Sequence, residues 1–326
     1  VLACAVGVLA GGIELPPLAV AMALADRLPF VEVASGLTPT QDSVLMELRL
    51  PRVVLAALVG GALAIAGAAY QGVFRNPLAD PYLLGAAAGA GLGATLVIVY
   101  VDVIEVAGIG IVPLAAFAGA LVGVGLAYAL GVTAGRAGTA TLVLAGVAVT
   151  SFLTAVQTFV QQREVQELRR VYSWILGQLG TSSWHELALL VPYVALSSAV
   201  LLLCGRLLDV LSVGDDEAAA LGVRAVRVRL VVVVAASLAT AAAVAVSGLI
   251  GFVGIVVPHI VRRLTAGSYR VVLPLSLLGG GAFLVLADVV ARTFVAPAEL
   301  PIGVVTAFVG APFFVAVLRL SRRGAV

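Results

Sequence analysis

The chain has 326 residues, of which 62% are hydrophobic and 11% charged, and its formal net charge is +2. A mean hydropathy of +1.17 excludes a water-soluble globular domain and indicates that lipid surrounds most of the chain. Backbone groups in lipid must bond within the protein, and long apolar runs without two-residue alternation exclude a β-barrel. We therefore predict an all-α polytopic membrane protein, with a single transmembrane domain over 1–326 and no nucleic-acid partner.

A bilayer core about 30 Å thick needs roughly 20 apolar residues per helix. Eight runs meet this requirement, at 53–72, 84–101, 108–132, 139–161, 187–207, 226–246, 271–293 and 301–320. Two further stretches are shorter: 248–264 contains Pro258 and His259, and 1–13 stops at Glu14. We interpret 1–13 as the outer end of a first helix truncated at its N-terminus, because no cleavage pattern of a signal peptide follows it.

The 36 glycines suit such a bundle, because small residues let membrane helices approach closely. We expect helix contacts at Gly60, Gly61, Gly67, Gly89, Gly91, Gly93, Gly119 and Gly123.

The orientation follows from arginine, since the chain has no lysine. With the first helix running outward, the cytoplasmic breaks hold twelve of the nineteen positive charges: Arg75, Arg136, Arg206, Arg224, Arg227, Arg229, Arg262, Arg263, Arg270, Arg319, Arg322 and Arg323. Most of the acids, among them Glu32 and Asp102, fall in the outer breaks. The charges therefore predict that both termini are cytoplasmic.

The two cysteines, Cys4 and Cys204, lie in apolar stretches, and the two histidines, His185 and His259, lack neighbours at metal-ligand spacing. No Ser/His/Asp arrangement, GxSxG or HExxH motif occurs. We predict no catalytic residue and no metal site.

The longest cytoplasmic break, about 208–228, contains a short helix with acids in its first turn and a glycine at its end. One interpretation is a solvated loop helix. The other is a coupling helix that docks on a cytoplasmic motor subunit, through the residues Asp215, Asp216, Glu217, Ala218, Ala219, Leu221 and Gly222.

The break between the runs 53–72 and 84–101 contains Pro77 and Pro81 around a polar cluster. Proline stops a helix, and Asn76 can bond free backbone groups. A plain turn is the simplest interpretation, and an ordered turn beside a central path would also serve as a gate.

Arg49, Arg52 and Arg292 lie on the outer side, against the usual charge bias. For Arg292, an ion pair with Asp288 four residues earlier in one helix is an alternative role. Several arginines at an outer mouth would also engage carboxylates on a docking protein.

The run 139–161 has polar side chains at spacings of three and four, at Thr150, Thr154, Gln157, Thr158 and Gln161. They share one helix face, which turns either toward neighbouring helices or toward a water-filled path, and we favour the path. An ion-coupled carrier would normally place an ionisable group near the midplane, and only Asp288, close to a helix end, approaches that description.

Six segments together resemble one family: Arg49–Arg52, Gln71–Gly85, Leu144–Val147, Gly251–Arg262, Ala287–Arg292 and Glu299–Pro312. In this order and spacing they are similar to the iron-siderophore, haem and cobalamin permeases of type II ABC importers. The resemblance covers practically the whole chain.

The resemblance implies a ten-helix permease with inverted repeats, in the bacterial cytoplasmic (inner or plasma) membrane. Its partners would be a second permease copy, two ATPase subunits that hold ATP and Mg, and an extracytoplasmic binding protein. It assigns docking to Arg49, Arg52 and Arg292, ATPase coupling to Asp215–Gly222, and a path to the helix with the polar stripe. The cytoplasmic gate would comprise Asn76, Leu78, Thr139 and Thr141.

The expected function is import of a metal chelate by a permease that hydrolyses no ATP and binds no cofactor itself. A ferric siderophore is the first expectation for the cargo, with haem and cobalamin as alternatives. An ion-coupled secondary transporter is the alternative function.

Overall fold

The computed structural model describes residues 1–27, 29, 33–101, 105–106, 109–133, 139–180, 183–265 and 267–323. Glu32, Asp102 and Arg136, which entered the orientation argument, lie outside these residues. The helices are α1 Leu2–Leu9, α2 Pro17–Ala25, α3 Pro39–Ser43, α4 Leu50–Val73, α5 Ala86–Tyr100, α6 Ile111–Thr133, α7 Thr139–Arg163, α8 Leu168–Ile175, α9 Trp184–Leu203, α10 Gly205–Val213, α11 Asp215–Ala220, α12 Ala225–Ser247, α13 Val253–Leu264, α14 Tyr269–Thr293 and α15 Ile302–Arg323.

Four short elements occur among the described residues as well. A π-helical segment, Val44–Arg49, joins α3 to α4, and a 3₁₀ turn, Val165–Glu167, precedes α8. The strands β1, Glu105–Val106, and β2, Ile109–Gly110, form an antiparallel pair in which Glu105 lies opposite Gly110.

Within the described residues, six helical segments are long and apolar enough to cross a bilayer: Pro39–Val73, Ile111–Thr133, Thr139–Arg163, Trp184–Leu203, Ala225–Ser247 and Tyr269–Thr293. They confirm six of the eight predicted spans, although the span predicted at 187–207 ends at Leu203. Ala86–Tyr100 and Ile302–Val317 are apolar but shorter. The helix count of ten is therefore not confirmed.

Three features differ from the sequence prediction. The helix α2, which no sequence pattern predicted, begins at Pro17, since proline fits the first turn of a helix. The stretch 248–264 yields only the twelve residues of α13, because Gly248 and Phe252 adopt positive φ angles before it. The amphipathic helix α8 was missed, since its apolar side is too short to register as a span.

Glycines bring the central helices together. A Cβ at Gly60 in α4 would lie 2.2 Å from the carbonyl oxygen of Gly280 in α14, and a Cβ at Gly89 in α5 would lie 2.1 Å from that of Gly119 in α6. Backbones this close leave no room for a side chain, so the predicted packing role of these glycines is confirmed. α4 is almost wholly buried and forms the centre of the subunit.

Candidate functional site

One end of the bundle carries a cluster of five charged residues, here called the Arg52 cluster: Arg49, Arg52, Asp288, Arg292 and Glu299. Arg52 Nε donates to Asp288 Oδ1 at 2.9 Å, which joins α4 to α14. Its Nη1 and Nη2 donate to Glu299 Oε1 and Oε2, each at 2.9 Å. This two-point pairing is the strongest geometry that an arginine and a carboxylate can adopt.

The other two arginines of the cluster bind the carboxyl end of α1. Arg49 Nη1 donates to the carbonyl oxygens of Val8 at 2.9 Å and Leu9 at 3.1 Å, and Nη2 donates to that of Ile13. The guanidinium of Arg292 donates to the carbonyls of Ala10, at 2.8 Å, and Gly7. A helix end leaves four carbonyls without intrahelical partners and carries partial negative charge, so two cations there satisfy both requirements.

The cluster holds three cations and two acids, and the carbonyls of α1 offset the excess positive charge. Arg292 Nε lies 3.2 Å from Asp288 Oδ2 as an ion pair without hydrogen-bond geometry, and this confirms the predicted pairing within one helix. The hydrogen bonds from Arg52 hold the pKa of the Glu299 carboxyl below its ordinary value. Sequence reasoning found the arginines but missed their carbonyl partners, which lie 36 to 41 residues away from Arg49.

The opposite end of α4 carries a second ionic cluster, here called the Asp215 cluster: Asp215, Arg75 and Arg229. Asp215 Oδ1 accepts from Arg75 Nη2 at 2.7 Å, and both of its carboxylate oxygens accept from Arg229 Nη2 at 3.1 Å. Arg229 is buried in α12, whereas Arg75 and Asp215 are partly exposed. One carboxylate on α11 therefore connects the turn after α4 with α12.

The structure confirms a short helix at the predicted coupling site. α11 has Asp215, Asp216 and Glu217 in its first turn, and Gly222 adopts a φ of +78°, which favours glycine. Ala218 is buried beneath the helix. The residues that face outward are Asp216, Glu217, Ala219, Ala220 and Leu221.

The segment 74–85, here called the 74–85 turn, is ordered by its own polar side chains. Asn76 Oδ1 accepts from the N–H of Leu78 at 3.0 Å, as expected for a turn. Asp80 Oδ1 accepts from the N–H of Tyr82 at 2.7 Å, and the hydroxyl of Tyr82 bonds both the carbonyl, at 3.0 Å, and the N–H, at 3.1 Å, of Ile250. The turn is thereby fixed to the segment that precedes α13.

Partial burial of the 74–85 turn makes its stability depend on pH. Desolvation raises the pKa of Asp80 to about 6 from an ordinary 3.8, against the opposing hydrogen bond from Tyr82. The folded protein thus holds this proton more tightly than the unfolded chain, so stability falls as pH rises from about 4 to about 6 and is constant above that.

We therefore predict that Asp80→Asn removes this pH dependence and raises stability above pH 6 by on the order of 1 kcal/mol, a figure reduced because Asp80 is partly exposed. The measurement is the thermal unfolding midpoint in detergent micelles between pH 4.5 and 7.5. Asp216→Asn, on an exposed acid, is the matched control. An unchanged slope in Asp80→Asn would contradict the prediction.

Two of the motif segments contact each other directly. Gln71 Nε2 donates to the carbonyl of Gly254 at 3.3 Å, and Gln71 Oε1 accepts from Arg262 Nη2 at 3.1 Å. Arg262 also donates to the hydroxyl of Tyr269 at 3.0 Å. A Cβ at Gly254 would lie 2.5 Å from Pro81, so the 74–85 turn packs tightly on α13.

The polar stripe on α7 is divided between two environments. Gln157 is buried and its Nε2 donates to Thr95 Oγ1 of α5 at 3.1 Å, so this residue turns toward a neighbouring helix. Thr154 and Thr158 are exposed, and Thr150 and Gln161 are half-buried. The stripe therefore lies at the edge of an open face of α7, which also exposes Phe152 and Phe159.

The remaining residues singled out from the sequence are the proposed gate residues and the two cysteines. Thr139 and Thr141 are half-buried at the start of α7, next to residues 134–138, which lie outside the description. Asn76 and Leu78 are exposed. Cys4 and Cys204 are free thiols, and within the described ranges no three His, Cys, Asp or Glu side chains stand together as metal ligands could.

A protein-family profile, the FecCD transport family, matches residues 1–320. The chain is 44% identical to the cobalamin import system permease BtuC of Halobacterium salinarum over 97% of this chain and 82% of that protein. The chain belongs to the FecCD transport family. Family members are transport permease subunits rather than catalysts, so the chain is a multi-pass membrane permease.

Other members of the FecCD transport family are similar over most of their length. The hemin transport system permease HmuU of Yersinia pestis is 38% identical over 87% of this chain and 86% of its own. A solved structure described as an inward-facing metal-chelate type ABC transporter superposes with a TM-score of 0.84 and 28% identity, covering 98% of this chain and 95% of that one. The fold of this chain is therefore that of an ABC importer permease.

Proposed function

We propose that this FecCD member is the membrane-spanning subunit of an importer that moves a metal chelate from an extracytoplasmic binding protein into the cytoplasm. The observation that carries the proposal is the family match over residues 1–320, together with relatives named for cobalamin and hemin transport. In this arrangement the chain lies in the cytoplasmic membrane with both termini in the cytoplasm, as the arginine distribution predicts.

The proposed assembly has two copies of this permease and two ATPase subunits that hold ATP and Mg. The open face of α7, with its exposed threonines and phenylalanines, supports a second copy or a path on that side of the subunit. α11 is the proposed contact for the ATPase, because its outward residues are small or acidic, an exposed Leu221 follows them, and Ala218 on the inner face is buried. Conformational change driven by ATP would then shift the permease between outward and inward states.

We assign the docking role to one end of the molecule and the gate to the other. Arg49, Arg52 and Arg292 form the docking end for an acidic binding protein, and the 74–85 turn with Asn76 and Leu78, joined by Thr139 and Thr141, forms the cytoplasmic gate. The stripe on α7 borders the path between them. The two ionic clusters at opposite ends of α4 support this division, since each end has its own charged connections to other helices.

The cargo is proposed to be a large metal chelate, with cobalamin tested first. Sequence reasoning alone ranked a ferric siderophore first. The relative named for cobalamin is more similar than the one named for hemin, over more of this chain, and this supports the change in ranking. Weakly polar walls would favour passage of any of these chelates over retention.

Reconstitution tests the proposal. The permease, its ATPase and a candidate binding protein are placed in proteoliposomes, and ATP hydrolysis and uptake are measured with cobalamin, haem and ferric siderophores. One chelate is expected to stimulate both activities. Arg52→Glu is expected to lower the stimulation at least tenfold, because the new carboxylate repels the acidic residues of the binding protein. Uptake driven by an ion gradient without any ATPase would instead establish the secondary transporter.

A further inference from the structure

Arg52 has an inner and an outer carboxylate partner, and the two differ sharply in access to water. The inner partner, Asp288, is 2% exposed and also pairs with Arg292. The outer partner, Glu299, is 49% exposed. The side chain of Arg52 is itself mostly shielded, at 13% exposure. Only the side of Arg52 now covered by Glu299 is therefore accessible from outside.

A small cavity of about 150 Å³ opens beside this pair, lined in part by Arg52, Glu299, Gly177, Gln178 and Gly180. A Cβ at Gly180 would lie 3.7 Å from Glu299 Oε2 and 3.9 Å from Arg52 Nη1, so the absent side chain leaves the ion pair uncovered. The cavity is large enough for one carboxylate-bearing side chain but not for a chelate.

We infer that Glu299 occupies, on Arg52, the place that a carboxylate of the docking protein takes, so that docking proceeds by exchange of one carboxylate for another. The inference rests on the docking half of the proposed function. Glu299 accepts one N–H from each of Nη1 and Nη2, so an incoming acid gains the same two-point pairing only by displacing it. Asp288 stays bound to Nε and keeps the guanidinium in position.

Exchange of the Glu299 carboxylate for a carboxylate of the partner explains why the docking contact would be reversible. The pair that is lost is half-exposed, and the pair that forms has the same chemistry, so most of the gain on docking is cancelled. Docking would then depend on steering by the rim charges and on the concentration of the binding protein, which suits a partner that must leave after delivery.

Displacement of Glu299 would also loosen the segment that joins α14 to α15. The N–H of Leu300 donates to the carbonyl of Ala291 at 2.8 Å, and the N–H of Gly303 donates to that of Leu176, after α8, at 3.0 Å. Glu299 is the side chain that ties this segment to α4. Docking of the partner would thus alter the contacts that this segment makes next to α8 and α15.

The test compares Glu299→Gln with Glu47→Gln in lipid nanodiscs. Glu47 precedes Arg49 in the π-helical segment, is exposed and makes no ion pair within the described chain, so both changes remove one negative charge. The measured quantity is the Kd of the binding protein that stimulates ATP hydrolysis in the reconstitution. We expect Glu299→Gln to tighten docking about 3- to 10-fold relative to Glu47→Gln, since the competitor is gone.

Hydrogen–deuterium exchange of residues 294–303 in the unsubstituted permease provides a second measurement that needs no variant. Exchange is expected to rise when the binding protein docks. Equal or weaker docking of Glu299→Gln than of Glu47→Gln, or unchanged exchange, would overturn the inference while docking through Arg52 stands. If Arg52→Gln docks as tightly as the unsubstituted permease, the proposed docking site is itself wrong, and the exchange inference with it.

Discussion

Gly67→Ala is expected to destabilise the folded permease strongly and to lower its thermal unfolding midpoint. A Cβ at this position of α4 would lie 2.0 Å from the carbonyl oxygen of Gly254 in α13 and 2.6 Å from its Cα. In a helix, alanine is ordinarily more stable than glycine by about 1 kcal/mol. Gly67→Ala therefore destabilises the protein only if the loss of packing exceeds this gain. The clash is with backbone, which has no rotamer to change, and we expect destabilisation of about 3 kcal/mol.

Other contacts of α13 prevent it from moving away from α4. A Cβ at Gly254 would itself lie 2.5 Å from Pro81 and 2.9 Å from the carbonyl oxygen of Leu63, so both the 74–85 turn and α4 pack tightly on α13. The Tyr82 bonds to Ile250 hold the start of this segment as well. Movement of α13 away from an added methyl would therefore disrupt the turn that orders the proposed gate.

Thermal unfolding and size-exclusion chromatography of purified protein in detergent measure the effect of Gly67→Ala. Gly125→Ala is the matched control, because Gly125 lies within α6 and a Cβ there would meet nothing within 4 Å. The control should be as stable as the unsubstituted protein or slightly more so. Equal midpoints for the two variants would show that α4 and α13 are not packed as closely as the structure has them.

The second large effect is expected from Asp215→Asn, which should separate ATP hydrolysis from transport. The carboxylate of Asp215 is the only described contact that joins α11 to both Arg75 of the 74–85 turn and Arg229 of α12. Asparagine keeps the size but removes the charge. Hydrogen bonds between charged groups contribute roughly 1.5–3 kcal/mol, and 1.4 kcal/mol corresponds to a factor of ten, so a transport loss of about tenfold is expected.

The measurement for Asp215→Asn is the number of substrate molecules imported per ATP hydrolysed in proteoliposomes. Glu164→Gln, on an exposed acid outside α11 that makes no ion pair within the described chain, is the control and should retain the normal ratio. Arg75→Gln should resemble Asp215→Asn, because it removes the same contact from the other side. A normal ratio in both cluster variants would exclude the Asp215 cluster as a connection between ATPase and gate.

The sequence by itself determined the features that depend on neighbouring residues. Hydropathy over about 20 residues gave the membrane class and six of the spans. The acids and Gly222 around α11 gave a short helix, and Asn76 and the prolines gave a turn. These predictions succeeded because span length, capping and turn formation depend on interactions between residues that are close in the chain.

Only the tertiary structure decided which distant charges meet. Arg52 and Glu299 are 247 positions apart, and Arg75 and Asp215 are 140 apart. Arg49 was predicted to be a docking residue from its charge, but the sequence does not indicate its carbonyl partners on α1, because every residue carries a carbonyl. Local patterns fix the elements, whereas these pairings depend on how close-packed glycines set the helices against one another, which one sequence does not specify.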